Sequence, residues 1–146
     1  LLAGSAHYVV ATQEAKFGLP EVKRGLFPFQ VMAMLLPNFP TRKVLDWCMR
    51  GRVLSAQEAF EWGLITHLVA SEAVEDTVNM LLQDLFSNSP AAIRIGLQAF
   101  DEMRHVPDND RQAYLKQLFE QTAQTADAQE GMQAFIEKRA PVWTGK

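Results

Sequence analysis

From Thr41 to Lys138 the chain reads as mostly helical, several of the helices carrying a recognisable start or stop signal, and this leaves little room for sheet. Behind Thr41, which reads as an N-cap, Val44, Leu45, Cys48 and Met49 recur at helical spacing. Ser55-Ala56-Gln57-Glu58 is a capping box, in which hydroxyl and carboxylate reciprocally satisfy N–H groups that the first helical turn leaves free. Gly63 stops that short helix, because glycine takes the left-handed conformation without a Cβ penalty, and Leu64 to Val69 reads as an extended connection. Ser71 reads as the cap of a helix whose stripe is Val74, Val78, Leu81, Leu82 and Leu85. Ser89-Pro90 is an N-cap followed by proline at the first helical position, and Ile93, Ile95, Leu97 and Phe100 follow it. After a break at Pro107 to Asp110, Tyr114, Leu115, Leu118, Phe119 and Thr122 mark another helix, and a last one runs near Ala128 to Lys138, before Pro141.

The front of the chain differs. Leu1 to Ser5 reads as the end of a helix, Tyr8 to Thr12 as a short β-branched and aromatic strand, and Ala15 to Gly18 as a second extended piece. Pro20 opens an irregular segment through Gly25 and Pro28, and Phe29 to Leu36 is apolar on all sides, as in a buried helix. Two lone strands make no stable sheet, so their partners are expected upstream of Leu1. The chain opens Leu-Leu-Ala-Gly without an initiator Met, which fits a start in the middle of an element. No repeat or linker marks a domain boundary inside the chain.

Composition narrows the functional classes. Apolar residues make up 48% and charged ones 21%, which fits a folded core and excludes a disordered tail. The net charge of −3 has its signs interspersed with no basic block, so nucleic acid is not an expected partner. The longest apolar runs, such as Val31 to Leu36, are far short of a membrane span. The single cysteine, Cys48, excludes an intrachain disulfide, fits a reducing compartment such as the cytoplasm, and reads as a buried residue beside Trp47. His7, His67 and His105 have no metal-ligand spacing, so no metal is expected, and Met32, Met34 and Met49 read as core.

Four stretches in fixed order carry a more specific signal. They are Ala15-Lys16-Phe17-Gly18-Leu19-Pro20-Glu21-Val22-Lys23-Arg24-Gly25; Gly51-Arg52-Val53-Leu54-Ser55-Ala56-Gln57-Glu58-Ala59 continuing to Trp62-Gly63-Leu64-Ile65; Asn88-Ser89-Pro90-Ala91-Ala92; and Asp127-Ala128-Gln129-Glu130-Gly131, followed by Phe135-Ile136-Glu137-Lys138-Arg139 and Pro141. Together they resemble the crotonase, or enoyl-CoA hydratase/isomerase, family over nearly the whole chain. The resemblance implies an α/β fold of the crotonase ββα superhelix type. The chain would be its helix-rich C-terminal part, with 1–40 ending the core and carrying the catalytic loop and 41–146 forming the helical C-terminal region.

The same resemblance implies an acyl-CoA thioester substrate, with coenzyme A as part of that substrate and no separate cofactor. It implies an oxyanion hole of two backbone N–H groups, supplied largely upstream, and self-association as a trimer or dimer of trimers. Glu21 matches the family's acid/base carboxylate; its other reading is an ordinary solvated loop glutamate. Family hydratases use a second glutamate twenty positions before this one, and ungapped counting lands on Leu1. Leucine moves no proton, so that register favours a double-bond shift over hydration. Phe29-Gln30-Val31-Met32 stands where the family often has a glycine-rich turn, and Phe29 and Met32 are candidates for a reshaped acyl pocket or for helix packing. Phe119, Phe135 and Lys138 match positions near the acyl tail and the CoA nucleotide; core packing is the other reading of the two Phe residues, and a solvated face that of Lys138. Three functional readings stay open: an enzyme segment inactive by itself, a non-catalytic helical oligomerisation module, and an acyl-CoA-binding pseudo-enzyme.

Overall fold

The computed structural model describes residues 2–146. Leu1, and with it the register of the second acid, lies outside the described residues. In chain order the elements are α1 (Leu2–Ser5), β1 (Val10–Thr12), β2 (Lys16–Gly18), a 3₁₀ turn (Pro20–Arg24), α2 (Phe29–Leu35), α3 (Thr41–Arg50), β3 (Val53–Ser55), α4 (Ala56–Glu61) and β4 (His67–Val69). A 3₁₀ turn (Ser71–Ala73) then leads into α5 (Val74–Phe86), α6 (Pro90–Glu102), a 3₁₀ turn (Met103–His105), α7 (Arg111–Ala123) and α8 (Ala126–Glu137). Two compact units divide within α5, Leu1–Met80 and Leu81–Lys146.

In the first unit the two front strands are not alone: each finds a partner downstream in this same chain. β1 runs parallel to β4, with Val10 opposite His67, and β2 runs antiparallel to β3, with Phe17 opposite Leu54. The end of the extended segment after Gly63, His67–Val69, is therefore a strand. Around these pairs Leu19, Leu35, Val44, Trp47, Cys48, Leu54, Ala56, Ala59, Leu64 and Ile65 form one buried cluster. Cys48 sits in it as a free thiol.

Local signals explain several helix ends. Ser55 Oγ accepts from the Glu58 N–H (3.2 Å) and Glu58 Oε2 accepts from the Ser55 N–H (3.0 Å), so the capping box is complete. Gly63 follows α4 at φ +81°. Ser89 Oγ accepts from the Ala92 N–H at the start of α6, and Thr125 Oγ1 from the Ala128 N–H at the start of α8. Other expectations fail. Pro40 is the N-cap residue of α3 and Thr41 its first helical residue, without a side-chain cap. Ser71 lies in the 3₁₀ turn and its hydroxyl faces Glu14 (3.5 Å), so it does not cap α5. Helix α2 is not buried: of its residues only Leu35 is, and Phe29 is 67% exposed. Met49 is exposed as well, while Met32 packs partly buried against the core.

The second unit is built differently. Ala91, Ala134 and Asp127 are its buried residues, and no residue of α7 is buried. The Asp127 carboxylate gathers its parts. Oδ2 accepts from Ser89 Oγ (2.9 Å) and the Ala91 N–H (3.2 Å), and Oδ1 from the N–H groups of Thr144 (2.8 Å) and Gly145 (3.0 Å) and the Thr144 hydroxyl (3.2 Å). Burial alone would push this acid up; the Thr144 N–H, then Ser89, Ala91 and Gly145, overcome that and hold it at about 2. Glu130 completes the fastening. It binds the Arg139 guanidinium through both oxygens and accepts from the Val142 N–H (2.8 Å), which hold it at about 2 as well. Trp143 donates its indole N–H to the Ser87 carbonyl (2.8 Å).

Candidate functional site

Glu21 sits second in the 3₁₀ turn that Pro20 starts and Gly25 ends at φ +75°. The turn is tied off by the Leu26 N–H on the Glu21 carbonyl (3.1 Å) and the Gly25 N–H on the Val22 carbonyl (3.3 Å). Glu21 is half-buried. Its Oε2 is fully buried and has no hydrogen-bond partner among the described residues. The charge reaches the core behind it: burial pushes the Cys48 thiol up, and the Glu21 carboxylate pushes it further.

In front of Glu21 lies a cleft of about 350 Å³, lined also by Phe27, Pro28, Phe29, Gln30 and Val31. Phe27 and Phe29 stack at a tilt, with ring centroids 5.1 Å apart. Phe29 and Val31, from the stretch where a glycine-rich turn was expected, thus join Phe27 and Pro28 in an apolar wall beside the carboxylate. The structure brings Phe29 to Glu21; Met32 does not line this cleft and packs on the core instead. A buried acceptor left unpaired costs roughly 1–3 kcal/mol, so a fold keeps one where something else will engage it. A carboxylate beside an apolar wall can take a proton from a substrate carbon and give it back.

Phe119, Phe135 and Lys138 belong to the second unit. Phe119 lines a larger cleft of about 750 Å³, with Thr122, Met132, Ile136 and Trp143 among its neighbours. The acid on that cleft, Asp127, is fully engaged by the donors described above, so it is not free for proton transfer. Phe119 is 74% and Phe135 83% exposed, which rules out packing in the core of this chain for either ring. Lys138 ends α8 in the left-handed conformation (φ 55°) and is exposed. Arg139, a residue of the fourth motif, carries the ion pairs to Glu130 and Glu137.

Among the described residues no group of three His, Cys, Asp or Glu stands close enough to hold a metal, and no helix is long and apolar enough to cross a membrane.

Comparison with known proteins gives a consistent family. The model of a family described as enoyl-CoA hydratase/isomerase matches residues 1–146. A carnitinyl-CoA dehydratase from Salmonella typhi is 33% identical over 150 residues, covering 99% of this chain and 58% of that protein. Among solved structures, a probable enoyl-CoA hydratase/isomerase from Mycobacterium abscessus superposes with a TM-score of 0.89 at 34% identity, and an enoyl-CoA hydratase from Mycobacterium tuberculosis H37Rv with 0.90 at 30%. Each covers 99% of this chain and 58% of the solved one, so the chain spans little more than half the length of these relatives.

Proposed function

The chain belongs to the enoyl-CoA hydratase/isomerase family and has its α/β crotonase-type fold, and from that premise we propose that it is the C-terminal portion of a single domain acting on an enoyl-CoA thioester, with Glu21 as general acid/base. The observation that carries the reading is the buried Oε2 of Glu21, unpartnered among the described residues, beside an open cleft. In the reaction, the carboxylate removes a proton from a carbon of the enoyl chain. The electron pair moves into the conjugated thioester, and backbone N–H groups outside residues 1–146 stabilise the oxyanion. The protonated Glu21 then returns the proton at a different carbon, which shifts the double bond. Water addition uses the same acid together with a second proton-transfer group. Phe29 bounds the acyl chain beside Glu21, with Met32 supporting its helix from the core. Phe119, Phe135 and Lys138 serve the acyl tail and the CoA nucleotide. No metal or redox cofactor takes part, and coenzyme A enters only as part of the substrate.

Because the relatives are longer, residues 1–146 are catalytically silent by themselves in this reading. The complete protein should turn over crotonyl-CoA or its β,γ-unsaturated isomer, Glu21→Gln should remove that turnover, and the isolated chain should show none. Turnover by the Glu21→Gln protein at the wild-type rate would remove the assignment. Tight binding of the CoA ester by the complete protein without turnover would make it a pseudo-enzyme.

A second reading concerns assembly. Phe119, Met132, Phe135 and Ile136 are large apolar side chains left exposed on α7 and α8, and such surface favours self-association. A cytoplasmic homo-oligomer is the form we assign to the complete protein. A clean monomer by light scattering at micromolar concentration would count against it.

A further inference from the structure

The turn that carries Glu21 rests on the end of α3, and the contact leaves no room for a side chain. Gly51 follows α3 in the left-handed conformation (φ +55°), its N–H donating to the Trp47 carbonyl (3.0 Å). A Cβ at position 51 would stand 2.8 Å from Val22 Cγ2, 3.2 Å from the Leu19 carbonyl oxygen and 3.5 Å from Lys23 Cγ. Those three residues flank Glu21 on both sides. The Leu19 carbonyl is main chain and cannot swing aside as a long side chain would, so the turn itself would have to move. Just past Gly51, the Trp47 indole N–H donates to the Arg52 carbonyl (2.9 Å) and fixes the same corner. Trp47 is buried in the core, so the corner is anchored in the most solid part of the unit.

We propose that Gly51 is a positioning residue for Glu21: its missing side chain lets the end of α3 pack directly against the Leu19 carbonyl and the Val22 and Lys23 side chains, and so sets where the carboxylate stands over its cleft. The inference rests on the reading of Glu21 as the acid/base. A reacting group displaced by about 1 Å can lose 10²-fold in rate, whereas binding made elsewhere on the substrate is retained. The chain contains its own control. Gly63 has the same left-handed requirement (φ +81°), but a Cβ there would meet nothing within 4 Å. Alanine at either position carries backbone strain; only at 51 does it also push on the Glu21 turn.

The test is steady-state kinetics of the complete protein on crotonyl-CoA or its β,γ-unsaturated isomer. Gly51→Ala should lower kcat by about 10- to 100-fold with little change in KM. Gly63→Ala should keep kcat near the wild-type value. Adding Val22→Ala to Gly51→Ala removes the tightest of the three clashes and should restore part of the lost kcat, the Leu19 carbonyl contact remaining. Should Gly51→Ala fail to fold, Trp47→Phe loosens the same corner and should lower kcat several-fold at unchanged KM. The inference is overturned by an unchanged kcat in Gly51→Ala, or in Trp47→Phe where that variant is read instead. It is also overturned if Gly63→Ala loses as much as Gly51→Ala, or if Val22→Ala gives no rescue. Glu21→Gln separates the two levels: if it abolishes turnover while Gly51→Ala does not lower it, positioning alone fails, and if it turns over normally, the reading of Glu21 fails and positioning falls with it.

Discussion

Glu21 in the first unit and Asp127 in the second are both acids drawn out of bulk water, and the chain treats them in opposite ways. Asp127 is 1% exposed and receives hydrogen bonds on both oxygens from α6 and the C-terminal tail. Glu21 keeps one buried oxygen without a partner among the described residues and lines a cleft. The surroundings differ to match. The first unit has a continuous apolar core to which the acid does not belong, whereas the second buries little apolar surface and is fastened through its acids. A carboxylate left unpaired is available for chemistry, and one with every lone pair engaged is a structural pin.

The largest expected effect that would break this contrast is on rate. Glu21→Gln should cost the complete protein about 10²–10⁴-fold in kcat/KM, the usual share of a general acid/base, while its melting temperature stays near wild type. A large drop in melting temperature would show that Glu21 is a pin after all. Next comes Leu54→Ala, which opens a cavity in the core of the first unit (Leu54 is 0% exposed) and should destabilise it by about 2–5 kcal/mol in denaturant titrations. Amide exchange at Thr144 and Gly145 should then accelerate less than in the first unit, because their protection depends on Asp127.

Asp127→Asn sharpens the comparison from the other side. The amide sets a donor against donors that now face a carboxylate oxygen, so Thr144 and Gly145 should lose exchange protection while the amides of α3 keep theirs. Acid should do the same to the wild type. Asp127 and Glu130 are held at about 2, below the usual 3.8 and 4.5, so their contribution is complete above those usual values and is lost as pH falls through about 2. Exchange at Thr144 and Gly145 followed from pH 5 downward should show protection starting to fall near pH 4 and lost at about pH 2. The smallest effect is Ser55→Ala, which removes half of the capping box on α4 and should cost about 1 kcal/mol in the same titrations.

Part of this was legible in the sequence. The capping box at Ser55, the Ser89-Pro90 start, the Gly63 stop and the burial of Cys48 follow from spacing and residue type, because a helix end is satisfied by side chains only a few residues away. The family was legible from four motifs in order, and Glu21 from the first of them. The same local rules missed the downstream strand partners and misjudged the exposure of α2 and Met49 and the cap roles of Thr41 and Ser71. Apolar periodicity says which face a helix could bury, not whether anything arrives to cover it.

What the sequence determined by itself is the run of helices, most of their limits, the family, and the candidate acid. What only the tertiary structure decided is which distant residues meet. β1 pairs with β4, Asp127 collects Ser89 from 38 positions before it and Thr144 from 17 after it, and Gly51 abuts the Glu21 turn. Such contacts join groups whose separation along the chain carries no periodic signature. They are chosen by three-dimensional packing and by the cost of leaving a buried polar atom unpaired, neither of which a local pattern encodes.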